Sequence, residues 1–323
     1  MRVLVTGGAG YIGSHLVDAL VARGDQVLVV DNLSTGRFEN VRHLHGHPRF
    51  QLINESILNE PLLERLVPSV DAVYHLAAAV GVRHILADPL AAINTNVRGT
   101  EVVLGLAFRY WKRTVIASTS EIYGKASHVP FCEDDDRVLG STAVTRWSYS
   151  MSKAIDEHFA FAYAAKGLPV AIVRYFNSYG PRIDESGYGS VVANFARQAL
   201  RGEPITVHGD GRQTRCFTYI DDTVAGTLLA GEVPAAVGEA FNVANPVETT
   251  ILELAQAVKR LTRSKSPIVF QPYEAYYGEG FEDTRRRVPS IDKAKRLLGF
   301  VPKVDLEAGL RKTLVWCRAH YRH

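Results

Sequence analysis

The chain has 323 residues, enough for one large domain or two lobes of ordinary size, and its 46% apolar and 22% charged residues are those of a globular protein. A formal net charge of +3, with basic residues scattered except at Arg285-Arg286-Arg287, argues against a nucleic-acid-binding face. Cys132, Cys216 and Cys317 are odd in number and far apart, which argues against a disulfide framework or a zinc knuckle. No signal-peptide core and no bilayer-length apolar run is present, so a soluble protein of the reducing cytoplasm is expected, with no membrane partner and no metal.

Residues 2–6 read as a short apolar strand, followed by Gly7, Gly10 and Gly13 and then by helical periodicity over 14–20. Strand, glycine turn and helix are the context in which the backbone approaches a pyrophosphate and a helix N-terminus receives its charge. The next strand, 26–30, ends in Asp31, where a carboxylate accepts from an adenosine ribose and repels the extra phosphate of NADP. Residues 32–49 are polar and turn-rich, and His43, His45 and His47 read as part of a solvated loop rather than as metal ligands.

Strands are expected at 51–54 and 71–78, the latter ending in small residues that let a cofactor lie close. A long helical pattern over 89–111 carries Asn94 and Asn96, whose roles the pattern leaves open. A buried strand at 114–118 delivers Thr119, Ser120 and Glu121 to the sheet end where ligands bind in open α/β folds. The acidic run 133–136 reads as a solvated turn.

Tyr149 and Lys153 stand four residues apart on the next helix and share a face. A cation about 4 Å from a phenol lowers its pKa by roughly three units at an effective dielectric near 20, so Lys153 is expected to poise Tyr149 as a general base. Beyond a strand at 170–174 and a turn at 177–182 the alternation weakens. Strands are expected next at 205–208, 214–220 and 240–244, with Arg215 placed to meet phosphate, and helices at 249–263 and 305–320. Residues 271–290 are irregular and rich in tyrosine, glycine and charge, as in a binding segment. No repeat or linker divides the chain.

The motifs Thr-Gly-Gly-x-Gly-x-x-Gly at 6–13, Ser-Thr-Ser-Glu-x-Tyr-Gly at 118–124, Tyr149 with Lys153, and Arg-Tyr-Phe-Asn-x-Tyr-Gly-Pro-Arg at 174–182 together resemble an extended short-chain dehydrogenase/reductase of the nucleotide-sugar epimerase/dehydratase group. The resemblance covers essentially the whole chain. It implies an α/β fold: a Rossmann doubly wound parallel sheet over 1–173, with a return segment at about 216–245, and a smaller C-terminal α/β substrate lobe over 174–215 and 246–323. It also implies permanently held NAD, a UDP-sugar substrate, and a homodimer made through a four-helix bundle by the helices near 95–111 and 148–165.

Carried over position by position, the resemblance puts Gly7, Gly10, Tyr11, Ile12, Gly13, Asp31, Asn32, Leu76, Ala77, Ala78, Asn96, Ser118, Tyr149 and Lys153 on the cofactor. It puts Ser120, Asn177, Arg182, Val207, Arg215, Tyr277 and Arg287 on the substrate. In the group the residue matched by Tyr149 takes the C4 hydroxyl proton, Thr119 steadies the C4 oxygen, and Lys153 lowers the phenol pKa and binds nicotinamide ribose. Glu121, the stretch Arg146-Trp147-Ser148-Tyr149, and the run from Tyr277 through Asp283 to Arg287 and Ile291 lean toward UDP-glucuronate decarboxylases of the UDP-xylose and UDP-apiose synthase type. The match to Arg287 is a catalytic arginine there. The alternatives carried forward are a 4-epimerase, a 4,6-dehydratase and a dinucleotide-binding sensor without turnover.

Overall fold

The short apolar strands pair in parallel because each is followed by a helix that returns the chain to the same edge. In the computed structural model, which describes residues 1–81, 85, 87–184, 190–272 and 284–321, β1 (Arg2–Thr6), β2 (Gln26–Val30), β3 (Phe50–Ile53), β4 (Ala72–His75), β5 (Arg113–Thr119) and β6 (Val170–Tyr175) lie in the order β6-β5-β4-β1-β2-β3. This is a doubly wound sheet whose crevice lies outside the strands' carboxyl ends. A seventh parallel strand in this sheet, Ala240–Val243, comes from much later in the chain and pairs with β6.

Helix α1 (Tyr11–Arg23) packs Leu16, Val17 and Leu20 on one face of the sheet, and Gly24, at φ 99°, ends it in the left-handed conformation that glycine adopts freely. The other face is covered by α2 (Glu60–Leu66) and, after the short α3 (Pro89–Ile93), by α4 (Gly99–Arg109), over a core that includes Leu4, Leu63, Val73, Val102, Val103 and Leu106. Between α3 and α4, Asn94–Arg98 forms a π turn. The expected continuous helix therefore changes phase, so Asn96 is buried while Asn94 is exposed.

After α5 (Trp147–Ala165) and β6 the chain builds smaller sheets: β7 (Ser178–Tyr179) with β10 (Thr218–Tyr219), β8 (Ile205–His208) with β13 (Ile268–Gln271), and β9 (Thr214–Cys216) between β12 (Glu248–Thr250) and β14 (Arg286–Arg287). Helices α6 (Val191–Arg201) and α7 (Ile220–Glu232) fall between these strands, and the returning edge strand of the main sheet is β11. Helix α8 (Ile251–Thr262) opens on a capping box between Thr250 and Glu253; α9 (Asp292–Leu298) and α10 (Leu306–His320) complete the chain. Phe195, Leu254 and Leu310 of this part join the same buried cluster as Val3 and Val5 of β1. One core thus runs through both halves.

Beneath the crevice lies a buried polar network. Glu157 on α5 takes both Arg174 Nε (2.9 Å) and Nη2 (2.7 Å) on β6 and accepts from Ser118 on β5. Arg174 also donates to Tyr123 (2.9 Å), whose hydroxyl donates to Asn242 of β11 (2.7 Å). Asn242 in turn donates to the carbonyl of Ser290 (3.0 Å), three residues from Arg287. Glu133 belongs to this layer: buried, it accepts the Asn242 backbone N–H (2.8 Å), and burial pushes its carboxyl pKa up. The acidic run is therefore not a uniformly solvated turn.

The side chains of Arg174 and Glu157 are 6% and 7% exposed, so removing one leaves a buried charge without its partner. We expect Glu157→Ala to lower stability by about 3–5 kcal/mol, measured by chemical denaturation.

Candidate active site

A cleft of about 620 Å³ runs along the carboxyl edge of the sheet from the glycine turn to Tyr149 and Lys153. Gly7, Gly10, Tyr11, Ile12, Gly13, Asp31, Asn32, Leu76, Ala77, Ala78, Ser118, Thr119 and Asn177 line it. Gly7 has φ 72°, and a Cβ on Gly13 would lie 2.1 Å from the Gly7 carbonyl oxygen, so side chains at these positions would break the turn. Asp31 Oδ2 accepts from Ala9 N–H (2.9 Å) and Oδ1 from Leu33 N–H (2.9 Å), while burial raises its pKa against these bonds. The carboxylate is thereby fixed against the glycine turn at the cleft wall. A narrow backbone cradle, a helix N-terminus and an acid at the end of β2 fit a dinucleotide.

Asn96 stands behind the cleft. It accepts the Ala79 N–H (2.7 Å) and donates to Ser152 Oγ (3.0 Å), tying the segment after β4 to α5. The π turn points it inward.

Around Tyr149 the lysine on the same helix face has a carboxylate partner. Lys153 Nζ donates to Asp156 Oδ2 at 2.6 Å, with side-chain exposures of 3% and 0%. The phenol pKa is raised, first by burial and then by the Glu121 and Asp156 carboxylates, with a hydrogen bond from the Thr119 side chain acting the other way. Lys153 is thus engaged by Asp156 in this structure. The i,i+3 spacing on α5 brings a carboxylate within hydrogen-bonding reach of the ammonium.

Glu121 is the second residue of a 3₁₀ turn, Ser120–Tyr123, directly after β5; Thr119 Oγ1 accepts its N–H (3.2 Å), and Ser120 is buried at its foot. Its carboxylate bridges Arg287 Nη1 (2.6 Å) and Arg146 Nη2 (3.4 Å). Arg146 packs over the Trp147 ring with 4.9 Å to the centroid. Parallel pairing of β14 with β9 sets Arg287 opposite Arg215, whose Nη1 is bonded to the carbonyls of Thr214 (2.7 Å) and Thr284 (2.8 Å). Burial opposes ionisation of Glu121, but the fields of Arg287, Arg146 and Arg215 prevail and hold its pKa below the usual carboxylate value. Three guanidiniums thus face one carboxylate beside the phenol.

Other expected positions fall elsewhere. Val207 is fully buried in the hydrophobic core, where its isopropyl group packs on neighbours rather than facing the cleft. Arg182 donates to Asp18 of α1 (2.6 Å), which draws its guanidinium to that helix instead. Of the basic run, Arg286 is exposed and paired with Glu248 (2.8 Å), and only Arg287 is buried. Tyr277 and the run to Asp283 lie outside the described residues. Two functional residues carry no expected role from the sequence: Asp156, although its spacing from Lys153 is visible there, and Arg146, which appears only within a motif.

A family described as GDP-mannose 4,6 dehydratase matches residues 4–313. The chain is 44% identical over 317 residues to UDP-N-acetyl-alpha-D-glucosaminuronate decarboxylase of Bacillus cytotoxicus, covering 98% of each protein. It is 42% identical over 323 residues to UDP-glucuronic acid decarboxylase 1 of Danio rerio, covering all of this chain and 74% of that one. The crystal structure of UDP-glucuronic acid 4-epimerase from Bacillus cereus, in complex with UDP-glucuronic acid and NAD, superposes with a TM-score of 0.88 at 31% identity, covering 99% of this chain and 100% of that one.

Because the pKa of Glu121 is depressed on folding, the stability it contributes is fully present above the unfolded value, about 4.3, and is lost as pH falls through the lower folded value. Denaturation of wild type and Glu121→Gln should therefore differ most near neutrality, and the difference should shrink in acid.

Proposed function

Since the chain belongs to the GDP-mannose 4,6-dehydratase family of NAD-dependent short-chain dehydrogenases/reductases, we propose that it is the enzyme that decarboxylates a UDP-uronic acid through transient oxidation at C4, UDP-glucuronate giving UDP-xylose. The observation that carries this reading is the cluster of Arg287, Arg146 and Arg215 around Glu121 beside Tyr149. Three cations against one anion give a site that attracts a carboxylate, which a neutral hexose lacks.

The dinucleotide cleft fits NAD, which when bound accepts hydride from C4 of the sugar and returns it. The chain's residues handle the proton and the carboxylate. Tyr149 takes the C4 hydroxyl proton, and the Thr119 hydroxyl, already hydrogen-bonded to the phenol, steadies the C4 oxygen. The new C4 carbonyl is β to the carboxylate. Cleavage of the bond between C5 and the carboxyl carbon then releases carbon dioxide and leaves its electron pair delocalised over C5, C4 and the C4 oxygen. Arg287 and Arg146 stabilise that anion, and Glu121, held ionised between them, repels the departing carboxylate in the ground state. Protonation of C5 by solvent water replaces the carboxyl group by hydrogen, and Tyr149 gives its proton back to the C4 oxygen as C4 is reduced.

A second substrate has a specific support. The Bacillus cytotoxicus relative, matched over 98% of each chain, is named for the N-acetylated uronate, which differs from UDP-glucuronate only at C2. We place the enzyme in the cytoplasm, in keeping with its free thiols, and no helix among the described residues is long and apolar enough to cross a membrane. We propose a homodimer through a four-helix bundle: α5 exposes Met151 and Ile155 one turn apart, and α3 beside it exposes Leu90 and Ile93.

Incubation with UDP-glucuronate or its 2-acetamido analogue, followed by NMR, should yield a UDP-pentose and carbon dioxide. UDP-galacturonate retaining its carboxyl group would instead establish 4-epimerisation. Tyr149→Phe should keep nucleotide binding while lowering turnover by about 10²–10⁴-fold, and Arg287→Met should slow decarboxylation by about 10²–10³-fold while C4 oxidation persists. Light scattering should give twice the chain mass for wild type and the monomer for Met151→Lys/Ile155→Lys.

A further inference from the structure

Glu121 and Arg287 meet across 166 positions of chain, and the elements that carry them are short, a 3₁₀ turn of four residues and the two-residue strand β14. Pairing with β9 gives β14 its direction, but so short a strand shares few main-chain bonds. A further tie runs through one side chain, Asn242 of β11, which is fully buried and stands outside the lining of the cleft. Its Oδ1 accepts from the hydroxyl of Tyr123 (2.7 Å), the last residue of the turn that carries Glu121. Its Nδ2 donates to the carbonyl oxygens of Ser290 (3.0 Å) and Phe131 (3.0 Å). The Phe131 N–H donates to the carbonyl of Val288 (2.7 Å), next to Arg287, and the Phe131 carbonyl also accepts the Ser290 N–H (2.8 Å). The chain that follows Arg287 is thus fastened at 288 and 290 to a segment that the same amide holds.

Asn242 is itself fixed in place. It lies opposite Arg174 in the pairing of β11 with β6, and because β11 is the edge of the main sheet, Glu133 takes the Asn242 backbone N–H (2.8 Å). The Tyr123 ring stacks on Phe131 with centroids 4.7 Å apart, so the two fastened parts also touch directly. We propose that Asn242 is a positioning residue for carbon–carbon cleavage, whose one amide joins the turn bearing Glu121 to the segment bearing Arg287 and sets the two against each other. Both amide hydrogens and the amide oxygen are used, and a carbonyl left without its donor in this dry layer is costly, so the amide fixes geometry as well as filling space. This deepens the decarboxylase reading and rests on it, since Arg287 acts there after C4 is oxidised. Tyr149, by contrast, is set against β5 by the bonds of Glu157 on its own helix. Loss of the Asn242 amide should therefore separate the two steps.

The test follows both steps in the holoenzyme with UDP-glucuronate labelled at the carboxyl carbon, reading reduced nicotinamide by absorbance in a single turnover and labelled carbon dioxide from the same samples. In Asn242→Ala, oxidation should stay within about threefold of wild type while carbon dioxide release falls by about 10–10²-fold, the size expected when a reacting group is misplaced by about 1 Å. Tyr123→Phe, which frees only the Glu121 side and keeps the stacked ring, should act in the same direction with a smaller loss. A parallel fall of both steps, or release at the wild-type rate, would overturn the proposal and leave Asn242 a structural residue. A second readout is independent of the reaction: NMR titration of carboxyl-labelled glutamate in the holoenzyme, with Glu121 assigned by its loss in Glu121→Gln. The Glu121 pKa should rise toward the ordinary carboxylate value in Asn242→Ala as Arg287 draws away, and an unchanged titration would refute the idea. Wild type that oxidises the sugar and releases no carbon dioxide would instead sink the decarboxylase reading, and the titration would still decide the role of Asn242.

Discussion

The Glu157 carboxylate is the constraint on which the reaction centre depends. It binds Ser118 at the end of β5, sits one turn beyond Lys153 on α5, and receives Arg174 from β6, so one buried anion sets the register of three elements. Thr119 and Glu121 come just after Ser118, and Tyr149 lies two turns before Glu157 on the same helix. If the helix slid along the sheet by a residue, the phenol would lose Thr119. The cost of burying the ion pair is offset by bidentate geometry and by the further bonds to Tyr123 and the Glu133 carbonyl. Packing alone is less directional, and apolar neighbours would allow such a slide.

Much of the framework is legible in the sequence because it arises from short-range patterns. Gly7 and Gly13 sit where side chains cannot, Asp31 follows β2, and Tyr149 shares a face with Lys153. The illegible part depends on partners distant in the chain or on competition among near ones. Helical spacing pairs Lys153 with Tyr149 without weighing Asp156, which reaches the ammonium first. Asn96 stays open because a π turn breaks the 3.6-residue period that would have shown its side. Arg182 and Val207 rest on resemblance alone, and the packing gives each a local role with Asp18 and with the core. Glu133 reads as a surface acid since nothing in its neighbourhood announces Asn242.

Electrostatics divides the cleft into two regions of opposite purpose. At the glycine turn, N–H groups and a fixed Asp31 suit a dinucleotide, and little net charge is needed there. At the other end positive charge is concentrated around Glu121, whose pKa stays low despite burial. Tyr149 lies between, its pKa raised by burial and then by the Glu121 and Asp156 carboxylates.

The residues of that positive region come together from far apart along the chain. Glu121 and Arg287 are separated by 166 positions, and β14, which carries the arginine, spans only two residues. During synthesis from the N-terminus, β1 through β6 and the dinucleotide cleft they carry exist long before Arg287 is made. A growing chain therefore carries the glycine turn, Glu121 and Tyr149 well before the arginine that pairs with Glu121 is made, and the helices that follow β14 add the last residues of the shared core.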